Sequence, residues 1–67
     1  MDNNLHSVAR RLIELKMARA ELVGRIDRLA LERPRDELSL RRLEKQRLKL
    51  NEQIRLLEAE LDPPQPA

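Results

Sequence analysis

The chain has no cysteine, no aromatic residue and no threonine, and a single glycine among 67 residues. Each absence closes a class of explanation. Without cysteine there is no disulfide scaffold, no cysteine-ligated zinc module and no thiol nucleophile. Without aromatics there is no platform on which unpaired bases stack. Three isoleucines and two valines are too few β-branched residues for a sandwich or barrel. One glycine cannot make a glycine-rich phosphate loop. No apolar run exceeds three residues, so neither a membrane span nor a secretory leader is expected, and a cytoplasmic location is the default.

What is there is lopsided. Hydrophobic residues make up 40% and charged residues 39%, and the mixture of Leu, Ala, Glu, Lys and Arg is the composition of long helices and coiled coils. Fourteen basic residues against twelve acidic ones leave a net charge of +2. The sequence pI near 9.7 reflects arginines, which stay protonated throughout the ordinary range. So small a surplus predicts no strong overall field, and contact with nucleic acid has to rest on local clustering. The length allows one domain, and a chain this short buries only about 60% of its unfolded surface. With neither metal nor disulfide available, association with another chain is the remaining way to gain stability.

The large apolar residues fall into two seams. The first is Leu5, Val8, Leu12, Leu15, Leu22, Ile26 and Leu29, with steps of three and four and one place skipped at Arg19. The second is Leu40, Leu43, Leu50, Ile54, Leu57 and Leu61, with the skipped place at Arg47. Both have the heptad spacing of helices that pack along a stripe. Between them lies Glu32-Arg33-Pro34-Arg35-Asp36. Pro34 has no backbone donor and keeps Arg33 out of the helical region. Asp36 offers a cap for a second helix, as Asn3 or Asn4 does for the first. Asp62-Pro63-Pro64-Gln65-Pro66-Ala67 cannot continue a helix. The expectation is a single all-α unit over 1–67: helix one over 4–32, a turn at 33–36, helix two over 37–61 and a disordered Pro-rich tail at 62–67.

A short connection makes the helices antiparallel neighbours. If the chain reverses between Pro34 and Arg35, residues whose numbers sum to 69 lie at one level. Leu29 then meets Leu40, Ile26 meets Leu43, Leu15 meets Ile54, Leu12 meets Leu57 and Val8 meets Leu61. Arg19 falls opposite Leu50 and Arg47 opposite Leu22, so every level keeps an apolar partner. The rival, one continuous helix, has to carry Pro34 in its interior at about 3 kcal/mol, and its seams fall out of heptad phase. An antiparallel two-helix coiled-coil hairpin is therefore expected. Arg19 and Arg47 have two readings: aliphatic stems packed with the heads in solvent, or heads reaching carboxylates of the neighbouring helix to fix register.

Other apolar residues lie off the seams. Ile13, Met17, Ala20 and Gly24 form a second stripe on helix one, and Leu38, Leu48 and Leu56 lie off the seam of helix two. Gly24 in mid-helix costs about 1 kcal/mol relative to Ala, which is easiest to understand where another backbone comes close. Ile13, Met17, Ala20, Gly24 and Leu48 are accordingly the candidate oligomer face, and the expected assembly is a homodimer forming a four-helix bundle.

Charge is clustered on helix two. Arg41, Arg42, Lys45, Arg47 and Lys49 gather near its start and Glu52, Glu58, Glu60 and Asp62 near its end. Arg41, Arg42, Lys45 and Lys49 are the candidate contacts for an anion or nucleic-acid phosphate. The competing reading is a solvated face laced with i, i+4 pairs, for which Glu21–Arg25, Glu37–Arg41, Arg10–Glu14 and Arg28–Glu32 have the spacing. Catalysis has no candidate: Ser7 and Ser39 lack a base and an orienting group. The lone His6 makes no metal site, and no cofactor is implied. Pro63-Pro64-Gln65-Pro66 has PxxP spacing but reads first as a helix stop.

The stretch Leu40-Arg41-Arg42-Leu43-Glu44-Lys45-Gln46-Arg47-Leu48-Lys49-Leu50-Asn51-Glu52-Gln53-Ile54 resembles the YdcH-like family of very small bacterial helical-hairpin proteins of unknown function. Leu43, Arg47, Leu48, Leu50 and Ile54 stand at its landmark positions, with Leu22, Ile26 and Leu29 at weaker upstream ones. Asn51-Glu52-Gln53 departs from the family's Lys-Asp-Glu. The resemblance implies a helical hairpin and brings no activity or site. The functional expectation is a small non-enzymatic protein-interaction or regulatory module acting through self-association and helix-face contacts, with an unidentified protein partner. The alternative is a nucleic-acid-associated protein that binds phosphates through the basic stripe of helix two.

Overall fold

The computed structural model describes the backbone of residues 4–61 and the side chains of residues 7–61. The side chains of Leu5 and His6, the cap at Asn3 or Asn4 and the 62–67 tail lie outside the described residues. Two helices make up the fold, α1 over Asn4–Ala30 and α2 over Glu37–Leu61, and they pack against each other. The described residues contain no strand.

Helix α1 is shorter than expected, closing at Ala30 rather than at residue 32. Its last turn tightens: Leu31 N–H donates to the Arg28 carbonyl at 3.2 Å and Glu32 N–H to that of Leu29 at 3.1 Å, both one residue short of the α-helical reach. Arg33 then turns its guanidinium back, donating to the carbonyls of Ala30 at 3.1 Å and Glu32 at 2.8 Å. Acceptors that the helix end leaves open are thereby satisfied. Pro34 keeps Arg33 out of helical geometry. The i, i−3 bonds, together with the Arg33 side chain, close the helix two residues before that limit, leaving residues 31–36 to make the turn. The Arg33–Pro34 peptide is cis.

Helix α2 starts on a cap read correctly from the sequence. The Asp36 carboxylate accepts from Ser39 N–H at 3.1 Å and from the Ser39 hydroxyl at 2.8 Å. The Asp36 carbonyl takes the first helical bond, from Leu40 N–H at 3.0 Å. Those bonds to Ser39, with a smaller contribution from nearby Arg42, hold the Asp36 carboxyl below the usual carboxylate range.

The core is the strip between the helices. Leu22, Ile26 and Leu43 form a buried cluster with Leu29, Leu40 and Leu50 packed against it. Leu15 and Ile54 are buried farther from the turn, Ile54 being the most enclosed at 2% exposure. Ile26 packs with Leu43 at a level that the reversal at Pro34 predicts, and Leu15 and Ile54, expected at another, are both buried. Val8, Leu12, Leu57 and Leu61 are half-buried along the open end, where two helices alone cannot enclose a side chain. The chain exposes 5740 Å², against roughly 4,400 Å² for a compact monomer of this mass.

Candidate functional site

Neither helix is long and apolar enough to cross a membrane, and the described residues contain no cluster of three metal-ligating side chains. The surfaces available for function are the outward faces of the two helices and the two flanks where they meet.

One flank is laced shut. Lys16 Nζ lies 3.0 Å from Glu58 Oε2 across the helices, and Arg19 Nη1 donates to Asn51 Oδ1 at 2.9 Å. Arg47 turns along its own helix to Glu44, with Nε donating at 2.9 Å and Nη2 lying 2.8 Å away. Neither reading of the two core-type arginines covers both: Arg19 bridges the helices through a neutral amide, and Arg47 is satisfied locally. Glu52 holds Arg55 at 2.8 Å in the same i, i+3 sense. Among the described residues none of Glu21–Arg25, Glu37–Arg41, Arg10–Glu14 and Arg28–Glu32 comes within 4.0 Å, whereas Arg35 lies 3.9 Å from Glu37. Spacing alone places such charges on one face. On α2 the pairs that form are Glu44–Arg47 and Glu52–Arg55 at i, i+3, where the residues four away are uncharged.

The other flank is cationic. Arg25 from α1 and Arg42 from α2 border one depression with Leu29, Leu43 and Gln46 between them. Arg42, Lys45, Gln46 and Lys49 border the next. Three of the four expected anion contacts therefore come together here. Arg41 instead borders only the depression on the outer side of α2, lined by Leu38 and Leu48, which Arg42 and Lys45 border as well. Sequence reasoning missed Arg25. Its signal is positional: Arg25 precedes Ile26 as Arg42 precedes Leu43, and those two seam residues pack together, so both arginines leave the core on the same side.

The outward face of α1 carries the apolar stripe. Successive helical residues turn by about 100°, which points Ile13, Met17, Ala20 and Gly24 away from α2. Ile13 is 60% exposed and Met17 65%, and Leu31, 80% exposed, continues the line beyond the helix end. Steps of four, three, four and seven from 13 to 31 keep the heptad phase, with Asp27 in the one polar place. Nothing in the hairpin backbone crowds Gly24: a β-carbon there meets only Arg28 Nη1, at 3.5 Å. Leu48 does not join this stripe; it is exposed on α2 beside Leu38, Arg41 and Lys45.

Comparison with known proteins finds no family model that matches the chain, no similar curated protein and no similar solved structure.

Proposed function

We propose that the chain is a small non-enzymatic interaction module of the cytoplasm that works as a homodimer. Two hairpins pack α1 against α1 through its outward face, so that the four helices lie in a row rather than around one closed core. The observation that carries this reading is the heptad stripe of exposed Ile13, Met17, Ala20 and Leu31 with the half-buried Gly24 among them. A standard interface buries about 800 Å² on each partner. A second copy is the occupant the stripe itself favours. An antiparallel two-fold level with Leu22 sets Ile13 against Leu31 of the second copy and Ala20 against its Gly24. It also brings Asp27 near Lys16 of the second copy. Large side chains then close the ends and small ones sit at the crossing, where backbones come nearest. Such an interface is isologous and closes at two chains. Kinship with the YdcH-like family belongs to the same proposal, supported by the resemblance of residues 40–54 and by the hairpin.

Sedimentation equilibrium tests it. The native chain is expected at twice its mass in the micromolar range, and Ile13→Glu, which buries a charge in the interface, at single mass with its helicity retained. A native chain that stays at 7.9 kDa while fully helical refutes the reading, as does an Ile13→Glu variant that still dimerises.

A further inference from the structure

We infer that the cationic flank is a binding site for the phosphates of duplex nucleic acid, made jointly by Arg25 of α1 and Arg42, Lys45 and Lys49 of α2. The two helices contribute to one continuous surface: Arg25 and Arg42 border a common depression, and Arg42 leads through Gln46 to Lys45 and Lys49. This is a different face from the α1 stripe, so a dimer formed there leaves it open.

These cations are not consumed within the fold. Among the described residues none of the four has a carboxylate oxygen within 4.0 Å, whereas Lys16, Arg35, Arg47 and Arg55 are each paired and Arg19 is bound to Asn51. The neighbouring carboxylates are Glu21 one turn before Arg25, Glu32 beside it, Glu44 and Asp36. Glu21 and Glu32 lie more than 4.0 Å from Arg25. Glu44 is already engaged by Arg47 and Asp36 by Ser39. Charge is thus neutralised on one flank and left open on the other, which a net charge of +2 conceals.

The chemistry favours phosphodiesters of a duplex. Residues 42, 45 and 49 span about 10 Å along the helix axis, a length over which duplex DNA presents several phosphates. Two of the four groups are arginines, whose planar forks match phosphate oxygens in pairs. No aromatic residue is present to stack an unpaired base, so contact is with the backbone and independent of sequence. A lipid surface is the competing source of phosphate. Leu29 and Leu43 within the flank are half-buried and buried, but Arg42 and Lys45 also border the depression lined by the exposed Leu38 and Leu48. Vesicles therefore enter the test as the arm that would overturn the duplex reading.

Fluorescence anisotropy with a labelled duplex of about 20 base pairs, titrated across salt, reads the site directly. Four neutralised phosphates predict a log–log salt slope of about −3.6. Arg25→Glu and Arg42→Glu are each expected to weaken binding at least about tenfold near 50 mM salt and to flatten the slope by about 1. Arg55→Glu, the same change of charge outside the flank, is expected to weaken it less than about threefold. Arg25→Gln, which keeps helix propensity, carries the test if circular dichroism shows that Arg25→Glu disturbs the fold; it too is expected to flatten the slope. Absence of binding near 50 mM salt overturns the inference, as does an Arg25 variant that behaves like Arg55→Glu. Tighter binding to phosphatidylserine vesicles than to duplex at equal phosphate concentration also overturns it.

Discussion

Gly24→Ala is expected to stabilise the single hairpin and to weaken the dimer, so one substitution separates two energies. Within the hairpin the new methyl has room, because it meets only the end of the Arg28 side chain at 3.5 Å, ordinary contact with a group that can move. Replacing a mid-helix glycine by alanine then gains about 1 kcal/mol. For a domain of this size that raises the melting temperature by about 4–8 °C. In the proposed dimer Gly24 faces Ala20 of the second copy, and the two-fold axis places two such contacts at the crossing. Forcing a methyl into each costs about 1–3 kcal/mol. The dimer therefore loses about 2–6 kcal/mol, raising its dissociation constant at least about 30-fold. Thermal unfolding followed by circular dichroism well below the native dissociation constant reads the first effect, and sedimentation equilibrium reads the second. A variant that dimerises as tightly as the native chain excludes the Gly24 crossing. One that melts lower as a monomer refutes the open surroundings of Gly24.

Three further outcomes follow from the hairpin itself. Ile54→Ala empties the most enclosed position and is expected to cost about 2–5 kcal/mol, read as a lowered midpoint in urea unfolding; an unchanged midpoint contradicts the placement of the core. The Asp36 carboxyl titrates lower in the folded chain than in the unfolded one, so its capping contribution is complete above the ordinary carboxylate range and disappears as pH falls through the lowered value. Asp36→Ala is expected to destabilise the chain at neutral pH and to lessen the loss of melting temperature on acidification, whereas a variant with the native pH profile refutes the cap. A double-mutant cycle for Arg19 and Asn51 is expected to give about 1 kcal/mol or more of coupling for their part-buried bond. The same cycle for the half-exposed Lys16 and Glu58 should give about 0.2–1 kcal/mol, diminished by salt. Equal couplings would mean that burial does not distinguish the two cross-links.

The hairpin was legible because its determinants are local and redundant. Pro34 stops one helix, Asp36 starts the next, and the distance of each seam residue from the turn sets its level. Ile26 and Leu43 consequently meet as residue numbers alone predict. The helix end at Ala30 was less legible, because the Arg33 side chain substitutes for helical hydrogen bonds that a periodic pattern simply extends. Charge pairing was least legible. Long side chains sweep several ångströms, so Arg25, four residues after Glu21, does not pair with it, while Lys16 crosses to Glu58. The basic stripe was visible on α2, but Arg25 joins it only when the helices are laid side by side, and Arg41, one residue before Arg42, turns outward.

The dimer on the outward face of α1 is tested most directly by one intermolecular distance. The chain has no cysteine, so Ser7→Cys carries a single spin label, and any dipolar signal comes from a second copy. An antiparallel pair of α1 helices crossing level with Leu22 places the two labelled backbones about 45 Å apart, from the helical rise of about 1.5 Å per residue. Double electron–electron resonance above the dissociation constant is expected to give a single distribution at that distance, lost on Ile13→Glu. No dipolar modulation, or a distance below about 20 Å as a parallel pairing would give, contradicts it.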